Sequence, residues 1–409
     1  MVTFGFPTAF GRCPPMSILR RSPEATPVVV ACCRTAIGRA DGQRGLFRHV
    51  RGDELAATAV AAAVDRSGVD PATIEDLLVG ASQQRDELGG NAARSIGLLA
   101  GLPQQVAATT VNRLCGSSLQ TLAQACHAIA AGSENVQVVA GVEHLGHLPM
   151  DSSIDIHPRA LAGSSRAVLS MGMTAEHLAA SRGISRRRQE EYALESHRRA
   201  AAATAAGAFR AEVVPVQALD PEGVVTLAER DQSIRDDTSL EAMAGLPPAF
   251  LPEVGSVTAA TSAPLSDGAA ALVVMSEAEA QRQGLLPLVR VLATAVVGVP
   301  PAVMGIGPVP ASRKVLARAG LTLADIDLIE LNEAFAAQTL ACLDDLGLDH
   351  ERVNVRGGSL AIGHPLGASG ARIATTLIQA MRDRQAARGL ATMCIGLGQG
   401  IAVVFEAVG

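Results

Sequence analysis

The chain has 409 residues, 48% hydrophobic but only 2% aromatic and without tryptophan, and carries a formal net charge of −6. Such a length can bury a large core divided among two or three lobes, and small aliphatic residues rather than rings must fill it. The acidic balance and the lack of rings exclude nucleic-acid binding, which wants a basic excess, and stacking platforms for bases or sugars.

Residues 1–26 carry Arg12, Arg20 and Arg21 and no acid before Glu24, but Pro7, Pro14, Pro15 and Pro23 break any amphipathic helix. They read as a disordered extension, or as an over-long start ahead of Met16. A buried strand opens the fold at 27–32 (PVVVAC), followed by a helix over about 53–67, a strand at 76–80 (DLLVG), a helix over 91–100 and a β-branched approach at 106–111. VNRLCGSSLQTL (111–122) then sets Cys115 between that approach and a helix, because Leu119, Leu122, Ala123 and Cys126 recur at helical spacing. A helix start predicts a lowered thiol pKa, since its unpaired N–H groups favour thiolate. With a further strand at 136–141 (VQVVAG), the alternation predicts an α/β architecture with buried, mostly parallel sheets.

From 145 to 262 the pattern turns to polar helices and irregular segments. His144 and His147, three apart, raise a metal reading, but no third ligand stands near them in sequence. One helix opens at Met171 and another at Ser185, with a capping pattern and with Arg186, Arg187 and Arg188 on a solvated face paired with Glu190, Glu191 and Glu195. The core resumes near 257, passes a turn at 266–270 (SDGAA) into a strand at 271–275, and continues after Gly284.

The second half echoes the first. DLIELNEAF (327–335) matches DLLVGASQQ (76–84), the helix after Gly367 matches the helix after Gly116, and LATMCIG (390–396) matches VQVVAG. Two such halves predict pseudo-two-fold symmetry, with the site where matching helix starts meet strand ends. The seven cysteines form no C-x-x-C pair, which argues against a disulfide framework or structural zinc and for a reducing cytoplasm. No run reaches the ~18 apolar residues of a membrane span. The single lysine, Lys314, leaves no Walker A motif.

Three unusual stretches accompany Cys115. Asn332 follows an apolar strand, His364 lies among glycines in GGSLAIGHPLG (357–367), and Cys394 opens CIGLGQG (394–400), where strand-like Ile401 to Phe405 argues for a hairpin rather than a dinucleotide loop. Two cysteines, a histidine and an asparagine in glycine-rich turns supply a thiolate, its base, oxyanion donors and a second proton carrier, the needs of carbon–carbon acyl transfer.

In this order VNRLCGSSLQ, NEAFAAQ, GHPLGASGAR and CIGLGQG resemble the thiolases from about residue 27 to the end. Within them the likeness is to the 3-ketoacyl-CoA thiolases that form the β-subunit of bacterial fatty-acid-oxidation complexes, a branch to which GVEHLGHLPM and IDIHP (154–158) also point. The resemblance implies the thiolase fold, two pseudo-symmetric βα halves in a layered α-β-α-β-α core with an inserted loop domain. The first half would take 27–144 and 263–285, the insertion 145–262, and the second half 286–409. It implies that His364 takes the proton of Cys115, that Cys115 carries the acyl group, and that Cys394 protonates the departing acetyl-CoA enolate and deprotonates incoming CoA. One oxyanion site would be His364 with a water held by Asn332, the other the N–H groups of Cys115 and Gly396. Coenzyme A is implied as co-substrate, with no permanently bound cofactor or metal, lying against Met171, Arg235, Ala249, Phe250, Ala259 and Phe335. Ala263 and Pro264 depart from the family's serine and small residue and put local CoA contacts in doubt. A homodimer or homotetramer is implied, with or without a hydratase–dehydrogenase α-subunit. The alternatives are acetoacetyl-CoA synthesis on the same residues, a decarboxylating ketoacyl synthase, against which Cys394 argues, and a non-catalytic lipid-binding subunit, against which the intact residue set argues.

Overall fold

The computed structural model describes residues 22–150, 155–161, 165–220 and 222–408. Most of the extension assigned to 1–26, and Ile154 of the 154–158 motif, lie outside the described residues. In chain order the elements that frame the site are β1 (Pro27–Thr35), α1 (Gly52–Ser67), β2 (Asp76–Gly80), α2 (Ala92–Leu99), β3 (Ala107–Val111), α3 (Ser117–Ala131), β4 (Val136–His144), α4 (Met171–Arg182), α5 (Arg186–Ala205), β5 (Ser266–Ser276), β6 (Val289–Gly298), α6 (Pro308–Ala319), β7 (Leu328–Leu331), α7 (Ala336–Leu346), α8 (Ser369–Arg384), β8 (Arg388–Ile395) and β9 (Gln399–Ala407).

The strands join in the order β7-β8-β9-β6-β1-β5-β4-β2-β3, with Gly38–Arg39 beside β5 and Val213–Val214 beside β1. The repeat seen in the sequence is present in this order. Reading inward from either end, β2, β4, β5 and β1 of the first half answer β7, β8, β9 and β6 of the second, and an isolated bridge from Ile329 to Val353 stands where β3 stands beside β2. The halves meet where β1 and β6 pair, Val28 opposite Arg290 and Val29 opposite Val289.

Three apolar cores separate the layers. Because side chains alternate across a strand, Val273 of β5 packs outward with Leu55 and Val60 of α1 and Ile96 of α2, while its neighbour Leu272 packs inward. The inward core holds Leu119, Leu122 and Ile129 of α3 and Ile373, Leu377 and Ile378 of α8 between the sheets of both halves. Across the second half, Val404 of β9 lies with Leu316 of α6 and Leu340 of α7, while Val403 faces the shared middle. This gives the five layers, with α3 and α8 in the centre. The two central helices approach so closely that a Cβ on Gly370 would overlap the backbone of Leu119, so their starts are held side by side.

The expectation of mostly parallel pairing fails. Five of the eight neighbour pairs along the path are antiparallel, and only β2·β3, β2·β4 and β7·β8 run parallel. Burial on both faces produces unbroken apolar runs whichever way a strand points, so those runs carried no directional information. The turn expected at 266–270 is also absent; these residues begin β5 and are fully covered, Asp267 lying opposite His144 and Gly38.

The capping expected of Ser185 is present, its Oγ accepting the N–H of Arg188 at 3.2 Å. Arg186 and Arg187 pair with Glu190 and Glu191, and Arg199 with Glu195, but Arg188 reaches Asp344 of α7 instead, fastening the inserted segment to the second half. On the other side the segment is fixed by Arg34 of β1. This fully buried guanidinium pairs with Glu212 at 2.7 Å and with both carboxylate oxygens of Asp231 at 2.7 and 2.9 Å.

Candidate active site

Strand β3 ends at Val111 and α3 starts at Ser117, so Cys115 sits in the turn between them, two residues before the helix. The turn is sharp: Leu114 takes φ +49°, the left-handed region that a branched side chain adopts only when held there. What holds it is local. Asn112 Oδ1 accepts the Leu114 N–H at 2.8 Å, and Ser117 Oγ accepts from the Arg113 N–H at 2.9 Å while donating to the Leu114 carbonyl at 2.6 Å. The Arg113 guanidinium then reaches Gln120 of α3 and Gln399 of β9, at 2.9 and 2.8 Å. Cys115 is half-buried, and its sulfur meets the backbone N–H of Gly396 as well as its own. Gly396 belongs to the predicted β8–β9 hairpin, turned by Leu397 at φ +61° and Gly398 at φ +84°.

His364 follows the helical turn Ser359–Ile362 and precedes α8. Its backbone N–H donates to Ser266 Oγ at 3.0 Å, and its ring Nδ1 lies 2.6 Å from Ser369 Oγ. Ser369 donates its own proton to the Pro365 carbonyl at 2.9 Å, so its oxygen must accept from His364 Nδ1–H. The hydrogen-bond pattern therefore assigns the lone pair to Nε2, which faces Asn332 Nδ2 at 3.4 Å. Asn332 is fixed at the end of β7 by its N–H on the Thr392 carbonyl at 3.0 Å. Cys394, at the end of β8, lies in an apolar cluster with Ala175, Val257, Met304 and Phe335, against which Met171 and Phe250 pack.

Burial sets the protonation of these groups. It pushes the Cys115 thiol up to about 11 despite the two N–H groups that favour thiolate, with the buried Glu143 opposing them. The lowered pKa expected from a helix start is therefore absent, because the helix begins too late to help and desolvation outweighs the hydrogen bonds. Burial, then the charge of Arg372, pulls His364 down to about 3, so the imidazole is neutral and its Nε2 can accept a proton. Burial, then the proximity of Cys115 and Cys342, holds Cys394 well above the usual thiol range, as a protonated donor.

A thiol on a strained turn of the first half, and a neutral imidazole and a second protonated thiol of the second half, make up the candidate site. A model of the thiolase N-terminal domain matches residues 27–278, and one of the thiolase C-terminal domain matches 285–407. The chain belongs to the thiolase family. The 3-ketoacyl-CoA thiolases of Erwinia tasmaniensis and Pseudoalteromonas translucida are 52% and 50% identical to it over 385 and 386 residues, in each case 93% of this chain and 99% of the relative. The crystal structure of human mitochondrial 3-ketoacyl-CoA thiolase in complex with CoA matches with a TM-score of 0.86 at 36% identity, covering 94% of this chain and 98% of that one. That of the Bacillus anthracis acetyl-CoA acetyltransferase matches at 0.85 and 38%, covering 94% and 99%.

The residues this thiolase was expected to offer to CoA fall in two connected places. Arg235 and Ala259 line a cavity of about 680 Å³, together with His197, Ser262, Ala263 and Leu360. Met171, Phe250 and Phe335 lie in the apolar cluster around Cys394, the two rings edge to face at 5.9 Å. The backbone joins the places, for Ser262 bridges Phe335 and the Ala263 N–H donates to the Ala334 carbonyl at 3.0 Å. Ala249 is exposed, its N–H bonded to the Val257 carbonyl. Among the described residues Arg235 has no carboxylate within ion-pair distance and is exposed at the cavity rim.

His144 and His147 do acquire a third companion, Glu87, with one ligand atom of each lying within 4.8 Å of the others. Their nitrogens are already engaged. His147 spans the Arg48 carbonyl at 3.0 Å and Glu87 at 3.1 Å, while His144 Nε2 meets the Phe47 carbonyl at 3.1 Å. Burial works against protonating His147, but the Arg48 carbonyl and Glu87 outweigh it and raise its pKa.

Four supporting residues escaped the sequence reading: Asn112, Ser117, Ser369 and Glu143. Glu143 is fully buried and its carboxylate accepts the N–H groups of Ser82, Gln83 and Gly367, tying strand ends of one half to the His364 loop of the other. A serine in the GASGAR motif was a usable signal, since a catalytic imidazole needs an acceptor for its second nitrogen; nothing in the local sequence of Glu143 marked it.

Proposed function

We propose that this thiolase is a 3-ketoacyl-CoA thiolase whose reaction is carried by Cys115, His364, Asn332, Cys394 and Gly396. The protein catalyses CoA-dependent cleavage of 3-ketoacyl-CoA to acetyl-CoA and a shortened acyl-CoA. His364 Nε2 takes the proton of Cys115, and the thiolate attacks the 3-keto carbon. The developing oxyanion is met by the imidazolium and a water on Asn332. Collapse breaks the C2–C3 bond, leaving acyl on Cys115 as a thioester, and the electron pair on C2 takes the proton of Cys394. In the second half the Cys394 thiolate deprotonates CoA, whose sulfur attacks the acyl carbon. The N–H groups of Cys115 and Gly396 then hold the oxyanion until Cys115 leaves and takes its proton back from His364. The observation that carries this reading is the contact between the turn of Cys115 and that of Cys394, where Gly116 packs against Ile395 and Leu114 lies over Gly396.

CoA lies in the 680 Å³ cavity with Arg235 at its phosphate end and Met171, Phe250 and Phe335 along the pantetheine, within the segment 145–262 and the second half. Ala249 and Ala259 complete the set. The protein works as a homo-oligomer, for β3 closes the sheet as an edge with Ala107 and Thr109 exposed, where a second copy can add its own strand. A cytoplasmic setting is supported by the free state of the six described cysteines. Among the described residues no helix is long and apolar enough to cross a membrane.

The test is cleavage of 3-ketoacyl-CoAs of graded chain length with mass analysis of the trapped enzyme. Acyl on the Cys115 peptide, with rates rising beyond acetoacetyl-CoA, supports the reading. Activity confined to acetoacetyl-CoA moves it to an acetyl-CoA C-acetyltransferase, and no adduct at any length overturns it.

A further inference from the structure

The amide of Asn332 has two ends that would act differently on the water it holds at the oxyanion. Its nitrogen donates to that water and leaves both of the water's protons free for the developing charge, whereas its oxygen would draw one of them away. Rotating the amide by half a turn would therefore weaken the site, and the side chain's own shape does not choose between the two.

The choice is made by Ser359. Its Oγ donates to Asn332 Oδ1 at 2.6 Å and accepts from Arg372 Nη2, on α8, at 2.7 Å. All three side chains are buried, Ser359 and Arg372 completely. A guanidinium has only donors, so Ser359 must accept from Arg372 and its one proton is left for Asn332. That proton can be received only by the amide oxygen, which turns Nδ2 toward His364 Nε2. Arg372 has no other strong claim on its charge, since Nε and Nη1 lack hydrogen-bond partners among the described residues and Glu330 stands 3.7 Å away. Polarised from behind, the serine hydroxyl in turn draws density from the amide and strengthens its N–H as a donor. Ser369 does the corresponding work on His364, setting its tautomer from the far side of the ring.

We infer that Ser359, backed by Arg372, is a positioning residue of the oxyanion site, holding the Asn332 amide with its nitrogen toward the water that meets the reacting carbonyl oxygen. The inference rests on the assignment of Asn332 made above. Ser359 touches no substrate and acts through Asn332 alone.

The experiment compares Ser359→Val with Ser359→Thr, which add the same bulk and differ in the hydroxyl, and repeats Ser359→Val in an Asn332→Ala background. Ser359→Ala replaces the pair if the added methyl prevents folding. Losing an oxyanion donor outright costs about 10²–10³ in kcat, so misaiming one should cost about tenfold or more. Ser359→Val is expected to lose about that in kcat for thiolysis with KM for the ketoacyl-CoA within about twofold, and Ser359→Thr to recover most of it. In the Asn332→Ala background the same change should do almost nothing, because the group it acts through is gone. A purely structural serine would instead lower Tm, move KM and kcat together and add its full effect to Asn332→Ala, and that result overturns the inference. So does wild-type kcat in Ser359→Val when Asn332→Ala is impaired. If Asn332→Ala itself retains wild-type kcat, the assignment of Asn332 fails.

Discussion

Gly396 separates the demands of folding from those of catalysis. A Cβ added there would meet Leu114 Cδ1 at 3.3 Å and Met171 Sδ at 3.4 Å, both ends of flexible side chains, and its backbone is not in the left-handed region. Gly396→Ala should therefore cost less than about 1 kcal/mol of stability. The methyl would nevertheless stand beside the N–H that meets the Cys115 sulfur, where a thioester oxygen must enter. Blocking one oxyanion donor is worth about 2.7–4 kcal/mol in the transition state, or 10²–10³ in kcat. Gly116→Ala serves as the contrast, because its Cβ would lie 2.5 Å from Ile395 Cδ1 and 2.9 Å from Cγ1 inside the packed middle layer. Thermal unfolding and thiolysis measured on both variants should give a stable, nearly inactive Gly396→Ala and a destabilised Gly116→Ala. If Gly396→Ala unfolds at the wild-type temperature and turns over within threefold of wild type, the space above Gly396 is not where the thioester lies.

Cys115→Ala should form no acyl-enzyme by mass analysis, while Cys394→Ala should acylate slowly and fail to turn over; equal residual turnover in the two would refute the division of roles. Acid stability should report His364. Its folded pKa of about 3 lies below the unfolded value of about 6.5, so the unfolded chain binds the extra proton between those limits. Its contribution is complete above pH 6.5 and drains away as pH falls toward 3, on the order of 5 kcal/mol in total. Urea unfolding of His364→Asn should show a shallower acid limb, and a parallel limb would contradict the assignment. Asp231→Ala leaves Arg34 buried with half its partners and should cost about 3–5 kcal/mol in urea unfolding; a loss below about 1 kcal/mol would mean that the inserted segment is not anchored there.

Much of this architecture was legible because the chain states it twice. The echo between DLLVG and DLIEL, and between VQVVAG and LATMCIG, corresponds to the matched strands β2 and β7, β4 and β8. Cys115, Asn332 and Cys394 stood out because each follows or ends a strand-like run, and His364 because glycines surround it, all of them local signals. Strand direction was not local. The burial of β1 and β5 on both faces erased the alternation that might have shown it. Ser266 to Ala270 looked like a turn because Asp-Gly usually makes one, yet Asp267 is drawn into the sheet opposite His144, a partner more than a hundred residues away. The thiol pKa was misjudged for a similar reason: a helix start can be seen in sequence, whereas the depth at which the sulfur is buried depends on both halves.

The position of β5 also dictates when this protein can fold during synthesis. β5 lies between β1 and β4, and the remaining partners of β1, Val213–Val214 and β6, are likewise encoded far downstream. At ~5–20 residues per second, roughly 10–50 s separate the emergence of Thr35 from that of Ser266. For most of that interval a nine-residue strand that the fold buries along its whole length hangs from the ribosome with no neighbour to pair with. Any message truncated before residue 266 therefore yields a product that cannot close its first sheet.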